Sequence, residues 1–337
     1  MITLFVATEQ GLLIARHALD WTVERHLDGR SVECVALDPF TPSRVCCGTL
    51  NDRVWRSDNG GKSWDTAGHG ITHSRVMSLA ASAVESENGV GIVYAGTEPS
   101  GVFRSVDGGA SWTEQPALLA LRSRPTWSFP PRPDTHHVRW IEADPVVSGR
   151  LYVAIEAGAL VRTPDGGRTW EDRVSSGPYD THTAATHPLA PDRVYAAAGD
   201  GYFESHDAGR RWTRHMDGLR HRYLVGIAVD QEEPDTVLVS CADGPWSAYD
   251  PPHAEAYVYR RSGQRPWHVA MEGLPDAQGT SVARFAAHPD SPAAVYAANN
   301  HGVYHSADAG RKWAALDIPW PQGALDGGVE ALAVLIE

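Results

Sequence analysis

Short apolar runs separated by turn residues recur along the whole chain. One run, Val138–Pro145, ends in Asp-Pro, and another, Val194–Ala198, is followed closely by Gly-Asp-Gly. Apolar runs of this length, bounded by Gly, Pro, Asp or Asn, are typical of β-strands joined by tight turns. Long stretches with the 3.6-residue spacing of an amphipathic helix are missing from the sequence. The pattern predicts an all-β protein built from many short strands.

A nine-residue phrase repeats within this pattern. It contains Ser or Thr, then Asp or Asn two residues later, Gly two residues after that, and Trp three residues further on. Repetition of one phrase in one frame indicates a repeat architecture, in which each copy belongs to one structural unit. The five copies are Arg56–Trp64, Arg104–Trp112, Arg162–Trp170, Glu204–Trp212 and His305–Trp313.

The acidic or amide residue of each copy is expected to hold a turn. Short carboxylates and amides accept backbone N–H groups inside tight turns, and the Gly supplies backbone angles that a Cβ would hinder. The Trp then begins the next strand and buries a large ring. Because repeated turns serve repeated structure, we assign a structural role to Asn59, Asp107, Asp165, Asp207 and Asp308.

The tryptophans that open the fourth strand of each repeat give the number of blades. Five follow recognisable phrases and two, Trp21 and Trp267, follow degenerate ones, which makes seven. Four strands form one propeller blade. The sequence therefore predicts one domain, residues 1–337, that is a single seven-bladed β-propeller of four-stranded blades. Its first blade, residues 4–27, lacks an inner strand, which residues 329–335 are expected to supply, so that no sheet edge stays open.

The repeated phrase resembles the Asp-box, or BNR, repeat of a β-propeller superfamily. That superfamily includes sialidases, xyloglucan-cleaving endoglucanases, a photosystem II assembly factor and sortilin-type receptors. The resemblance covers nearly the whole chain and implies the propeller fold, but these relatives share too little beyond the blade to select a function. Sialidases of this fold carry an Arg-Ile-Pro motif, which this sequence lacks. A typical sialidase is therefore excluded, and a divergent glycoside hydrolase stays open.

Charge and composition narrow the range of partners. The formal net charge of −13 excludes nucleic acid and an anionic membrane surface as main partners, since both need a basic footprint. No segment approaches the ~20 apolar residues of a membrane span, and the amino terminus lacks the features of a secretory signal. The four cysteines, which have no metal-binding spacing, are Cys34, Cys46, Cys47 and Cys241. We expect reduced cysteines and a cytoplasmic protein.

Polar residues gather where the inner strands begin. Four of the seven strand entrances carry histidine, in the segments 73–75, 136–139, 180–182 and 221–223. The turns after the second strands add Glu98 and Glu156 to the same face, and two insertions, 115–135 and 241–256, should emerge there. Convergent polar groups in a concavity are typical of ligand sites. The expected ligand contacts are Arg75, Arg139, His73, His136, His221, Arg222, Trp127, Trp140, Trp246 and His301.

Three kinds of chemistry suit these residues. His137, His182 and Tyr223 could act as general acid and base, next to arginines that hold an anionic group. A divalent metal is the second option for a cofactor, and its candidate ligands are His137, His182 and His221 with Asp180 or Glu156 as carboxylate partners. Glu33 and Glu330 could instead perform glycoside hydrolysis as a carboxylate pair. The catalytic candidates are thus His137, His182, Tyr223, Asp180, Glu33 and Glu330.

The leading hypothesis is a cytoplasmic propeller that binds a small polar ligand, anionic or sugar-like, on its top face. Whether it is an enzyme stays open, and hydrolase or lyase chemistry is favoured. A second hypothesis is a non-catalytic scaffold that presents its surface to a protein partner, because no complete catalytic motif is present. The third is a divergent glycoside hydrolase.

Overall fold

The chain folds as a seven-bladed β-propeller with very little helix. The computed structural model describes residues 1–288 and 291–336. These fall into two compact units: unit 1 contains residues 1–29, 197–202 and 214–337, and unit 2 contains residues 30–196 and 203–213. Residues 289, 290 and 337 of the expected 1–337 domain lie outside the described residues, and its single-domain character stays a prediction.

The first eleven strands of the chain belong to the first three blades. The amino-terminal sheet belongs to unit 1, and the next two sheets belong to unit 2. In each sheet, strands that follow one another in sequence are hydrogen-bonded neighbours. The strands are β1 (Ile2–Thr8), β2 (Gly11–His17), β3 (Trp21–His26), β4 (Val32–Leu37), β5 (Val45–Thr49), β6 (Val54–Ser57), β7 (Asp65–Thr66), β8 (Arg75–Glu87), β9 (Val90–Glu98), β10 (Val102–Ser105) and β11 (Thr113–Glu114).

The fourth strand of the fourth blade is reduced to one residue pair. Its sheet has three strands, and a single bridge between Arg162 and Glu171 stands where the fourth was expected. The next residue, Asp172, accepts the backbone N–H of Ser123 in the first insertion at 2.8 Å. The strands of the fourth and fifth blades are β12 (Val138–Ala143), β13 (Leu151–Ile155), β14 (Ala159–Thr163), β15 (Thr181–Thr186), β16 (Val194–Ala198), β17 (Gly201–Ser205) and β18 (Thr213–Arg214).

The carboxy-terminal strand completes the amino-terminal blade, as predicted. It pairs antiparallel with β1, from Ile2 opposite Ile336 to Ala7 opposite Ala331. Its bounds, 331–336, differ slightly from the expected 329–335. The remaining strands, all in unit 1, are β19 (Tyr223–Val229), β20 (Thr236–Ala242), β21 (Tyr257–Ser262), β22 (His268–Val269), β23 (Arg284–Ala287), β24 (Val295–Asn299), β25 (Gly302–Ser306), β26 (Ala314–Ala315) and β27 (Ala331–Ile336).

The second strand of each blade forms the core. All five residues of β5, β13, β16 and β24 are buried. A strand that is buried on both faces has a continuous apolar sequence. This explains why the sequence shows apolar runs at these strands instead of alternating apolar and polar residues. Burying one Val, Leu or Ile side chain contributes about 1.5–3 kcal/mol, so the core of each blade depends chiefly on this strand.

The repeated turns share one set of hydrogen bonds. In one of them, Asp107 accepts the backbone N–H groups of Ala110 and Ser111 at 3.0 and 2.9 Å. Ser105 donates its hydroxyl to Asp107 and accepts the N–H of Gly109, whose φ is +89°. Corresponding bonds occur at Asp165, Asp207 and Asp308, and at Asn59 with an amide. These residues therefore hold the chain reversal that leads into the fourth strand.

The two insertions contain the short helices of the structure. The first has 3-10 helices at Pro116–Ala120 and Arg124–Thr126, and the second has an α-helix at Pro245–Tyr249 and a 3-10 helix at Pro251–His253. No helix among the described residues is long and apolar enough to cross a membrane. The four cysteines are buried and free, as expected.

Candidate functional site

Three inner strands of unit 2 carry a β-bulge close to their first residue. The register against the neighbouring strand shifts at Glu33 in β4, at Met77 in β8 and at Arg139 in β12. Each of these residues follows a fully buried valine. A bulge bends its strand and re-aims the side chain that it carries. Glu33 and Arg139 are both expected site residues, so the bulges explain how an inner strand presents a charged group beside an apolar one.

Glu98, at the end of β9, is the buried anion of this region. Its side chain is 1% exposed, and it accepts hydrogen bonds from Arg75 at 2.6 Å and from two nitrogens of Arg132 at 2.7 and 2.6 Å. Paired bonds from one guanidinium to one carboxylate are strong and directional. Burial raises the pKa of Glu98, but the neighbouring His137 ring and the Arg132 guanidinium outweigh it and hold the pKa well below its usual range.

His137 joins Glu98 to a second carboxylate. The ring is buried, with its Nε2 2.9 Å from Glu156 and its Nδ1 3.5 Å from Glu98. Burial lowers the pKa of His137, and the two carboxylates raise it above its usual value. Burial likewise raises the pKa of Glu156, but His137 and Arg139 bring it down to about 2. Arg139 Nε lies 3.5 Å from the Glu156 carboxylate. We call Arg75, Glu98, Arg132, His137, Arg139 and Glu156 the polar cluster.

Asp180 and His182 extend the polar cluster on the side of Glu156. Asp180 Oδ1 accepts the backbone N–H of Ala157 at 2.9 Å, and Asp180 Oδ2 lies 3.7 Å from Nε2 of the buried His182. One ligand atom each from Glu156, Asp180 and His182 lie within 4.8 Å of one another. Across residues 1–288 and 291–336, no other three His, Cys, Asp or Glu side chains meet this condition. We call these three residues the Glu156 triad.

The structure thus brings together several residues that the sequence predicted. Glu33 also lies close enough for its charge to act on Arg132. Sequence reasoning missed Arg132, which comes from the first insertion. Arg132 could not be found by aligning the repeats, because the insertion has no counterpart in the other blades. Its position between two prolines in a long connection was the available signal. The expected residues found in or beside the polar cluster are Arg75, His137, Arg139, Asp180, His182 and Glu33.

Three other expected ligand contacts of unit 2 make packing contacts within the protein. Trp127 is 6% exposed, donates its indole N–H to Ser123 at 2.9 Å and lies in an apolar cluster with Leu118. It fills the core under the first insertion, and a ligand contact by this ring stays a prediction. His136 packs edge-on against Trp127, and burial lowers its pKa. His73 packs edge-on against Phe103.

Trp140 differs from these packing residues because it is exposed. Its fractional exposure on β12 is 36%. A ligand contact by this ring stays a prediction.

Two of the expected residues of unit 1 make contacts with aromatic rings. His221 stacks on Tyr257 with ring centres 4.0 Å apart and contacts Asp243 at 2.9 Å. Tyr223 packs edge-on against Tyr249. Arg222 is exposed, and Trp246, on the short helix of the second insertion, is 76% exposed.

Two further expected residues of unit 1 are engaged locally. His301 Nε2 lies 3.0 Å from the carbonyl oxygen of Gly279. Glu330 accepts a hydrogen bond from Arg284 at 3.3 Å. Glu330 belongs to unit 1 and Glu33 to unit 2, so their joint action as a hydrolytic pair stays a prediction.

Comparison with known sequences gives one weak relationship. No family model matches the chain. A Neosartorya fischeri protein named as a probable oligoxyloglucan-reducing end-specific xyloglucanase is 23% identical over 357 residues. That alignment covers 99% of this chain and 38% of the fungal protein, so the chain spans less than half the length of the relative it matches.

Comparison with solved structures shows the fold. The GH74 enzyme of Niastella koreensis superposes with a TM-score of 0.67 at 16% identity, over 92% of this chain and 51% of that one. A structure of YCF48 bound to D1 peptide superposes with a TM-score of 0.59 at 17% identity, over 89% of this chain and 87% of that one. The predicted resemblance to xyloglucanase-like propellers is confirmed: the chain is a seven-bladed β-propeller similar to GH74 structures and weakly related in sequence to a xyloglucanase.

Proposed function

We propose that the polar cluster binds a small polar, sugar-like ligand that carries hydroxyl or carboxylate groups. The observation that carries this proposal is the layered arrangement around Glu98. Its carboxylate is 1% exposed, whereas the side chains of Arg75 and Arg132 that it holds are 36% and 38% exposed. The buried anion fixes two guanidinium groups whose outer faces reach the surface, and such fixed donors suit ligand oxygens.

The energetic character of the polar cluster favours binding over a purely stabilising role. Buried ion pairs contribute little net stability because desolvation offsets their attraction. A ligand gains from groups that are already held in place, since less conformational freedom is lost on binding. His137, which is tied to Glu98 and Glu156, keeps the two carboxylates in a fixed relation. This support is what a preorganised polar site needs.

The sequence relationship guides the choice of ligand. The fungal relative is named for action on oligoxyloglucan, and we extend only the ligand class, a neutral or acidic oligosaccharide, to this chain. His137 and His182 would supply acid–base chemistry if the protein is a hydrolase or lyase, and a divergent glycoside hydrolase is one form of that proposal. A cytoplasmic location, without nucleic acid or membrane partners, belongs to the same proposal.

Isothermal titration calorimetry on the full chain tests the proposal. The probes are a xyloglucan heptasaccharide, cellotetraose and trigalacturonate. We expect saturable binding of at least one probe and at least tenfold weaker binding in R75A and R132A. A hydrogen bond to a charged group contributes about 1.5–3 kcal/mol, and about 1.4 kcal/mol corresponds to tenfold in affinity.

Arg16→Ala is the matched control. Arg16 is also a partly buried arginine paired with a glutamate, Glu24, but it lies outside the polar cluster, so this variant should bind like the wild type. Melting curves must show that every variant is folded. Equal binding by R75A, R132A and R16A would remove the polar cluster as the site. Failure of all three probes would favour the protein-interaction scaffold.

A further inference from the structure

The Glu156 triad has the donor set of a metal site. It offers one imidazole nitrogen and two carboxylate groups, all within 4.8 Å. Three protein ligands with further positions open are typical of catalytic zinc sites, and the combination of nitrogen and oxygen donors suits first-row divalent ions. The imidazole disfavours Mg²⁺ and Ca²⁺, which prefer oxygen donors alone.

The spacing inside the triad suits a shared ion better than a hydrogen bond. Asp180 Oδ2 and His182 Nε2 are 3.7 Å apart, which exceeds the ~2.7–3.2 Å of a normal hydrogen bond. Two ligands held at about 2.1 Å from one tetrahedral ion are roughly 3.4 Å apart. A small side-chain movement would therefore bring both atoms onto one ion.

Neighbouring groups already orient the carboxylates. Asp180 Oδ1 is held by the N–H of Ala157, which leaves Oδ2 on the side of His182. Glu156 Oε2 is held by His137 Nε2 at 2.9 Å. Such supporting hydrogen bonds fix ligand orientation in metal sites. His137, an expected metal ligand, is thus a positioning residue, because its Nε2 is engaged by Glu156 itself.

The turn between β13 and β14 contributes to the triad and also holds Asp180 in place. It provides both Glu156 and the Ala157 N–H that holds Asp180, while His182 is the second residue of β15. The nearby Arg139 guanidinium, 3.5 Å from Glu156, reduces the attraction for a cation. A site with this opposing charge requires direct ligation and will not hold cations by diffuse attraction alone.

We infer that Glu156, Asp180 and His182 bind one divalent first-row metal ion, for which Zn²⁺ and Mn²⁺ are the natural probes. The inference goes beyond the proposed function, because the ion would be held whatever second ligand the polar cluster binds. A bound ion would offer its open positions to a hydroxyl or carboxylate oxygen of that ligand.

Calorimetric titration of chelator-treated full chain with ZnCl₂ and, separately, MnCl₂ tests the inference. We expect one ion per chain for at least one metal, and at least tenfold weaker binding in E156Q, D180N and H182A. The first two variants keep an oxygen that accepts the existing hydrogen bond. H206A is the matched control, because His206 also pairs with a carboxylate, that of Glu204, at 2.8 Å but belongs to no such triad; its metal binding should equal that of the wild type.

Absence of stoichiometric uptake by the wild type would overturn the inference, as would equal loss in H206A and H182A. If a triad variant fails to fold, anomalous diffraction from Mn²⁺-soaked wild-type crystals decides: a peak among the three side chains supports the site, and a peak only elsewhere refutes it. Oligosaccharide titration of the same chelated protein separates the two proposals. Sugar binding without metal uptake would refute only the metal site, and metal uptake without sugar binding would refute only the proposed ligand.

Discussion

Asp107 and Asn59 show how one position in a repeated turn can use either a carboxylate or an amide. Asp107 accepts two backbone N–H groups and the hydroxyl of Ser111. Asn59 accepts one N–H through its amide oxygen and donates its NH₂ to Ser63. The geometry of the turn is the same, but only the carboxylate gains from ionisation.

Replacing Asp107 should reveal both contributions. D107A should lower the free energy of unfolding by about 1–2 kcal/mol at pH 7, the usual cost of losing a side chain that satisfies backbone N–H groups. D107N should cost less, because Asn59 shows that the amide fits. Urea unfolding at pH 7 measures both changes.

Acid should reduce the difference between Asp107 and its amide variant. Burial raises the pKa of Asp107, but its hydrogen bonds lower the pKa by more than burial raises it. The pKa of Asp107 in the folded protein therefore lies below its value in the unfolded chain. A lowered carboxyl pKa adds stability above the unfolded pKa, and this stability is lost as pH falls through the folded pKa. Urea unfolding of wild type and D107N at pH 3 should therefore give a smaller gap than at pH 7. A gap that widens in acid would contradict this assignment of the carboxylate.

The elements of the blade were predictable from the sequence to different degrees. The tryptophans after the repeated turns gave seven blades because each opens a fourth strand, and the pairing of β27 with β1 followed from the missing inner strand. In the sheet β12–β14, a single antiparallel bridge between Arg162 and Glu171 takes the place of a longer fourth strand. Asp172 binds the N–H of Ser123 instead, and no local propensity encodes such a contact with a distant insertion.

The first insertion packs against the apolar core of unit 2 and also contributes Arg132 to the polar cluster. Trp127 and Leu118 bury into the apolar cluster of unit 2, whereas Trp246 on the second insertion is 76% exposed. W127A should lower the free energy of unfolding by about 3–5 kcal/mol, the usual cost of truncating a buried large aromatic. W246A should change it by less than about 0.5 kcal/mol. Denaturant unfolding of both variants checks this, and similar values for the two would show that the insertions are equivalent.

At the scale of the whole molecule, the blade that joins the two chain ends should control stability. The strand β27 pairs with β1 along six residue pairs, from Ile2 with Ile336 to Ala7 with Ala331. Removing residues 328–337 would expose the β1 edge and the apolar groups beneath it. We expect a protein that unfolds at a much lower temperature or aggregates, measured by differential scanning calorimetry. A truncated chain that melts with the full chain would show that β27 is dispensable.

The candidate site was partly predictable because blades repeat. His137, Arg139 and His182 could be found since equivalent inner-strand positions align in the sequence. The bulge at Arg139 could not be found, because a register shift depends on pairing with β13. Arg132 had no equivalent in other blades, and its bond to Glu98 joins residues 34 positions apart. Aligning the repeats therefore predicted which residue types lie at the site. The geometry of the site could not be predicted in this way, because it depends on contacts between residues far apart in the sequence.

A crystal structure of the full chain soaked with a xyloglucan oligosaccharide tests the assignment of the ligand site most directly. We expect sugar oxygens within hydrogen-bond distance of the Arg75 and Arg132 guanidinium groups, whose carboxylate partner Glu98 stays buried beneath them. A sugar seated elsewhere, for instance against Trp246 and Tyr257, with no density at the polar cluster, would contradict the proposed site.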